Sequence, residues 1–248
     1  MFNLVIMKNN KSKKKIALIF VVLFCMCCCL SSIISGGSLF LKSDKKGDPA
    51  ASPTGASPTA ASKQYTLRSA KTGFQTNGEG KVYYLDRHNV SCNIDSLGGI
   101  NGFQLKNDYT DDTNHTMAYE FECLNGIDTS DGSDHNTTPD VDGDPPHTVY
   151  LDRHTVDCAT KPITQFRLHR NSEGDKIFYK YHCAKGPASS TCRDVTTEYN
   201  DQGAGNVIYL DRHAVKCNEG EYLSKFRLDA DDNDTTGRYR YEYKCCKP

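Results

Sequence analysis

The sequence contains no tryptophan, so its large apolar side chains are 14 tyrosines and 10 phenylalanines among 248 residues. No window shows sustained helical periodicity, which argues against a helical bundle. There is no Cys-x-x-Cys, and the adjacent Cys245-Cys246 pair is too tight to give one ion two ligands, which sets zinc aside. Beyond the N-terminus there is no basic stripe, which argues against nucleic-acid binding. Acidic runs (Asp128, Asp131, Asp134, Asp140, Asp142 and Asp144; then Asp229, Asp231, Asp232 and Asp234) would suit calcium. Leu151 and Arg240, however, stand where a calcium loop needs its bidentate glutamate. These runs therefore read as solvated turns, and no cofactor and no metal are expected.

What the chain does contain is a unit written three times. The first block is Tyr-Leu-Asp-Arg-His-x-Val-x-Cys, at Tyr84 to Cys92, Tyr150 to Cys158 and Tyr209 to Cys217. A block of the form Ile/Leu-x-x-Phe-x-Leu follows, at Ile100 to Leu105, Ile163 to Leu168 and Leu223 to Leu228. Each copy closes on aromatic-x-aromatic-x-Cys, ending at Cys123, Cys183 and Cys245. Three blocks in fixed order, repeated three times, mean one small unit triplicated. The first and third blocks alternate, so both are expected as strands. In the first, Tyr84, Asp86, His88, Val90 and Cys92 would share the inner face, with Leu85 and Arg87 on the other. The expected fold is all-β: three disulfide-linked antiparallel repeats at 81–124, 147–184 and 206–248. One unit buries too little by itself, so the three should close about a pseudo-threefold axis or stack in a row.

Asp-Arg-His invites a catalytic reading, because a carboxylate two residues from an imidazole on one strand face could orient it. No strand nucleophile accompanies it, and three equal copies are unusual for catalysis. The expectation is therefore a structural network of Asp86, Arg87, His88, Asp152, Arg153, His154, Asp211, Arg212 and His213. Asp would cap a turn or pair with Arg, and His would donate to a carbonyl. A sharper alternative has His88, His154 and His213 converging on the axis around one metal. No catalytic residue is assigned, and the chain is not expected to be an enzyme.

Eight of the twelve cysteines lie beyond residue 90, an even count that suggests disulfides in an oxidising compartment. Pairing the first and last cysteine of each copy gives Cys92–Cys123, Cys158–Cys183 and Cys217–Cys245. Cys192 and Cys246 remain for a fourth bridge. Asn89, Asn114, Asn136 and Asn233 match the glycosylation pattern.

Five lysines between Lys8 and Lys15 precede 26 uncharged residues, 16–41. A bilayer core takes roughly 20 helical residues, whereas a signal-peptide apolar region is about 7–15. An uncleaved transmembrane helix at 16–41 is expected, in preference to a signal peptide cut near Ser35-Gly36-Gly37. Residues 1–15 would form a short cytoplasmic segment, and the C-terminal domain would be extracellular or luminal. Cys25, Cys27, Cys28 and Cys29 sit within this span as small apolar residues. Residues 42–80, rich in Pro, Ser, Thr and Ala, are expected to form a flexible stalk.

The repeated Asp-Arg-x…Cys, the Gly102-Phe103-Gln104, Phe166 and Phe226 blocks, and the closing Tyr243-x-Cys245-Cys246 resemble the dermatopontin family. The resemblance implies a secreted-type, disulfide-bonded, lectin-like domain. Members carry Trp beside Asp-Arg, where this chain has His. The leader and repeat style also look like membrane proteins of large DNA viruses and protists. The expected function is a membrane-anchored surface binding or adhesion protein with carbohydrate or a glycoprotein as ligand. The alternative is a structural virion or cell-surface coat component that associates with itself.

Overall fold

The computed structural model describes residues 64–93, 98–110, 115–143, 146–186, 189–231 and 237–248. The expected cytoplasmic segment, the transmembrane span and the stalk up to residue 63 lie outside them. Among the described residues no helix is long and apolar enough to cross a membrane.

The first block of each copy departs from the expected strand. It is a short 3-10 helix, at Val82–Arg87, Thr148–Arg153 and Val207–Arg212. The physical reason is a period of three beneath the apparent period of two. In a 3-10 helix the side chains at i and i+3 eclipse. Val82 and Leu85 are three apart and both buried, as are Val207 and Leu210. Tyr84 and Arg87 are also three apart, and the guanidinium stacks 4.0 Å from the ring centroid. Arg153 on Tyr150 and Arg212 on Tyr209 repeat the contact at 4.3 and 4.1 Å. Leu85 is thus an inward residue, contrary to the strand reading. The chain then turns extended at His88, His154 and His213, and only a two-residue strand follows: Val90–Ser91, Val156–Asp157 and Val215–Lys216.

Three antiparallel sheets are built on the central strand pairs Gly98–Asp108 with Thr116–Asn125, Ile163–Arg170 with Lys176–Cys183, and Tyr222–Ala230 with Arg238–Cys246. Each pair gains an outer strand from the segment ahead of its own first block: Thr66–Lys71, Ser133–Asn136 and Cys192–Thr196. The expected stalk is corrected here, since Thr66–Lys71 and Gln75–Thr76 are strands of the first sheet. Each repeat likewise starts earlier than the blocks alone suggest.

The other side of each pair is completed by a neighbouring copy. Val90–Ser91 of copy one joins the second sheet, and Val156–Asp157 of copy two joins the third. Val215–Lys216 of copy three joins the first. Every copy gives its short strand to the next, and the last gives to the first. The repeats therefore close in a ring, and the linear stack is excluded.

The ring encloses one core. Phe103, Phe166 and Phe226 meet with ring centroids 4.9, 5.0 and 4.8 Å apart. Tyr119, Tyr179 and Tyr241 stand edge-on around them. Burying each phenylalanine contributes roughly 1.5–3 kcal/mol.

Four disulfides join Cys92 to Cys123, Cys158 to Cys183, Cys217 to Cys245 and Cys192 to Cys246. The first three also span sheets. The Cys92 N–H donates to Thr164 in the second sheet, while its sulfur is bonded to Cys123 in the first. Cys158 donates to Ser224 in the third sheet and Cys217 to Asn101 in the first, each bonded through sulfur to its own copy. Each bridge therefore staples one seam of the ring. The fourth ties the outer strand of the third sheet to its neighbour.

Candidate functional site

The Asp-Arg-His residues were the sequence's foremost candidates, and the structure places them at the seams. His88, His154 and His213 are all buried, with 1, 0 and 1% of their surface exposed. Nδ1 of each lies 3.0–3.1 Å from a threonine hydroxyl: Thr72, Thr137 and Thr197 respectively. Those hydroxyls also accept from the backbone N–H of Tyr119, Tyr179 and Tyr241. The imidazole partner is thus a hydroxyl on the outer edge of the sheet, instead of the expected carbonyl. Nε2 of all three histidines is buried without a partner. Burial lowers all three imidazoles, His88 and His213 to about 4; Arg87 and Arg167 add to the effect at His88, and Arg212 does so at His213.

The aspartates act between copies. The Asp86 carbonyl accepts from Arg167 Nε at 2.6 Å, and the Asp211 carbonyl accepts from Gln104 Nε2 at 2.6 Å. Asn107 Nδ2 donates to the Asp211 carboxylate at 2.8 Å. Each of these donors lies on the central strand of the neighbouring copy's sheet. Burial raises the Asp86 carboxyl, with Arg87, Arg167 and Arg170 opposing. The symmetric metal idea is corrected as well. The histidines edge onto the outside of the tyrosine ring (His88 on Tyr119, His154 on Tyr179, His213 on Tyr241) and do not meet on the axis. Among the described residues the one cluster with metal-ligand spacing is Cys217, Glu221 and Cys245. Both of its sulfurs are in a disulfide, and Arg193 and the Asn218 N–H occupy the glutamate.

Of the closing-block tyrosines, Tyr119, Tyr179, Tyr241 and Tyr243 are buried and Tyr181 is partly buried against the same core; Tyr109, just past the strand Gly98–Asp108, is 50% exposed. The acidic connector is dispersed into pairs, Asp134 with His182, Asp131 with Lys185 and Asp140 with Arg153. Asn89 and Asn136 are exposed, and Asn114 and Asn233 lie outside the described residues.

A different site emerges where the threefold pattern breaks. The outer face of each sheet carries one equivalent cross-strand row. It runs Asp134, His182, Gln165, Ser91 in the second sheet and Asp194, Lys244, Lys225, Asp157 in the third. In the first sheet it runs Ser69, Glu122, Gly102, Lys216. Where its sisters carry Gln165 and Lys225, the first sheet carries glycine. A Cβ at Gly102 would lie 2.4 Å from the Val215 carbonyl oxygen, so the closing strand itself excludes a side chain there.

The result is a groove of about 470 Å³, floored by Gly102 and walled by Ser69, Lys71, Gln104, Glu120, Glu122 and Lys216. The matching hollow on the third sheet, where Lys225 and Arg227 project, is about 210 Å³. Lys216 Nζ reaches across Gly102 to Glu122 Oε1 at 3.0 Å. The other carboxylate oxygen, Oε2, is buried without a partner. Lys71 Nζ lies 5.3 Å from the ring centroid of Phe74, which is 40% exposed. Gly102 and Gln104 stand out in the sequence only as part of the Gly102-Phe103-Gln104 block, and none of the groove residues is a site candidate there. The one available signal was Gly102, aligned with Gln165 and Lys225.

No protein-family model, no curated protein and no solved structure matches the chain.

Proposed function

We propose that this chain is a single-pass surface protein whose disulfide-stapled β ectodomain binds carbohydrate or a glycoprotein. The membrane part of the reading is supported by sequence alone: lysines, then 26 uncharged residues, then a Pro/Ser/Thr-rich stalk. Four disulfides among the described residues agree with an oxidising compartment. The resemblance to the dermatopontin family points the same way. The observation that carries the binding role is the groove on the first sheet, a concave site walled by Lys71, Lys216, Glu120 and Glu122. Its volume lies within the range of about 300–1,000 Å³ typical of small-molecule sites.

The test is display of the full chain on cells, with a C-terminal tag and a glycan array. The tag is expected to be reached by antibody on intact cells, and the array to give selective hits. A protected tag overturns the orientation. Ordered self-assembly with no glycan hit overturns the binding role in favour of a coat component.

A further inference from the structure

We infer that Cys192–Cys246 is a reversible redox site, opened by an external dithiol while the three seam bridges stay closed.

The fourth bridge differs from the other three in place, exposure and necessity. Each seam bridge joins two buried cysteines, none more than 7% exposed, where two sheets meet. An attacking thiol has to displace a seam to reach those sulfurs. Cys192 is partly exposed, the one of the eight described cysteines that is not buried, and it lies on the outer strand of the third sheet. Its partner Cys246 is fully buried and stands directly opposite on the strand Arg238–Cys246.

The sister sheets keep their outer strands without such a bridge. Cys192 and Cys246 flank the pair Arg193–Cys245, and in the first sheet the same place beside Arg68–Cys123 holds Leu67 opposite Leu124. In the second sheet the outer strand begins only at Ser133, opposite Cys183, and has no pair there. In the third sheet, strand pairing runs on from Arg193 to Thr196, and on the other side the Lys247 N–H donates to the Thr191 carbonyl. Breaking the sulfur bond therefore leaves the strand in its sheet and adds two thiols.

The surroundings favour one direction of attack. A thiolate of the dithiol attacks the Cys192 sulfur and forms a mixed disulfide. The electron pair of the broken bond leaves on the Cys246 sulfur. A thiolate buried there needs a hydrogen-bond donor, and Ser224 Oγ lies 3.3 Å from that sulfur. The same hydroxyl lies 3.4 Å from the Lys244 carbonyl, so its proton has another acceptor while the bridge is intact and turns to the sulfur as charge develops. Cys246 then takes up one proton. The second thiol of the reductant attacks its own sulfur in the mixed disulfide, and Cys192 leaves and takes up the other proton. Two electrons pass to the bridge; the dithiol ends as a disulfide.

The test is timed reduction of the folded full chain, in detergent, with dithiothreitol, after free thiols have been blocked with N-ethylmaleimide. Samples are quenched in urea with excess iodoacetamide, and peptide mass spectrometry reads the label at each cysteine. Cys192 and Cys246 are expected to acquire label together, about tenfold or more faster than the six seam cysteines, with the cooperative melting transition kept. Ser224→Ala should slow this reduction by about tenfold. The double variant Cys192→Leu, Cys246→Leu copies the first sheet and should fold with its seam bridges closed to the same reductant. Seam bridges that open as fast as Cys192–Cys246, or a fourth bridge that opens only when the protein unfolds, overturn the proposal. A double variant that fails to fold overturns the claim that the sheet stands without the bridge. An unchanged rate in folded Ser224→Ala overturns the direction of attack.

Discussion

The three seam histidines make folding depend steeply on acid. Each imidazole is neutral in the folded protein because burial disfavours its charged form. Its Nε2 has no hydrogen-bond partner, so an N–H there would be left unpaired. In the unfolded chain the same side chain titrates near its ordinary 6.5. Below that pH the unfolded state binds protons that the folded state refuses, so stability falls as pH falls and levels off below the folded value. Moving His88 and His213 from 6.5 to about 4 makes the full effect about 3 kcal/mol at each. Between pH 7 and pH 5 the loss is about 2 kcal/mol per histidine, hence about 4 kcal/mol for the two. His154 adds in the same direction. Glu221, whose carboxyl Arg193 holds low, loses its contribution only below 4.5, outside this window. Asp86, raised by burial, works in the opposite sense as acid is added. The assay is urea unfolding of the oxidised protein at pH 7, 6 and 5. Replacing His213 with Gln should reduce proton uptake on unfolding by about one in the same window. A fall of less than about 1 kcal/mol from pH 7 to pH 5 would refute the claim that these imidazoles are held neutral by the seams.

Three further outcomes follow from the ring. Replacing Cys92 and Cys123 together by Ser should cost about 3–4 kcal/mol on the chain-entropy account of a 31-residue separation, and faster hydrogen exchange at the Cys92 amide bonded to Thr164 would locate the loss at one seam. Gly102→Ala should destabilise by about 1–3 kcal/mol by pushing the closing strand off the first sheet; Lys225→Ala, which removes a half-exposed pair with Asp157 at the equivalent place, should stay within about 1 kcal/mol, and paired denaturation midpoints compare the two. Phe103→Ala, Phe166→Ala and Phe226→Ala should each cost about 3–5 kcal/mol by opening the shared aromatic core, and equal losses by calorimetry would show that the core is shared equally among the copies.

The strand content and the four cysteine pairs were legible because both depend on features local to one copy. Alternation marks the closing block, where Tyr119, Phe121 and Cys123 are all buried. Two cysteines per copy, with one pair left over, select the bridges. The first block was misread because its buried residues obey two periods at once. His88, Val90 and Cys92 alternate, while Val82, Leu85 and His88 recur every third residue. His88 is the hinge between a 3-10 turn and a strand, and neither pattern taken alone shows the change. The strand at Thr66–Lys71 was hidden in another way. Its six residues are almost all exposed, so no apolar pattern separates it from the stalk, and it is held by ladder bonds to Thr116–Asn125 alone.

The exchange of strands also explains why the first block is the most faithfully repeated part of the sequence. A residue serving one copy's own sheet can drift if its neighbours compensate. The Asp-Arg-His segment has to fit its own outer strand through the histidine–threonine contact and the next sheet through its short strand. Asp86 and Asp211 also hold a side chain from the neighbouring sheet. Any change there must satisfy two sheets at once, which is a constraint of packing and needs no shared ligand. The outer rows are where the copies differ. A site for recognition in a closed threefold ring is therefore best sought where the symmetry fails, and Gly102 marks the place where it fails most deeply.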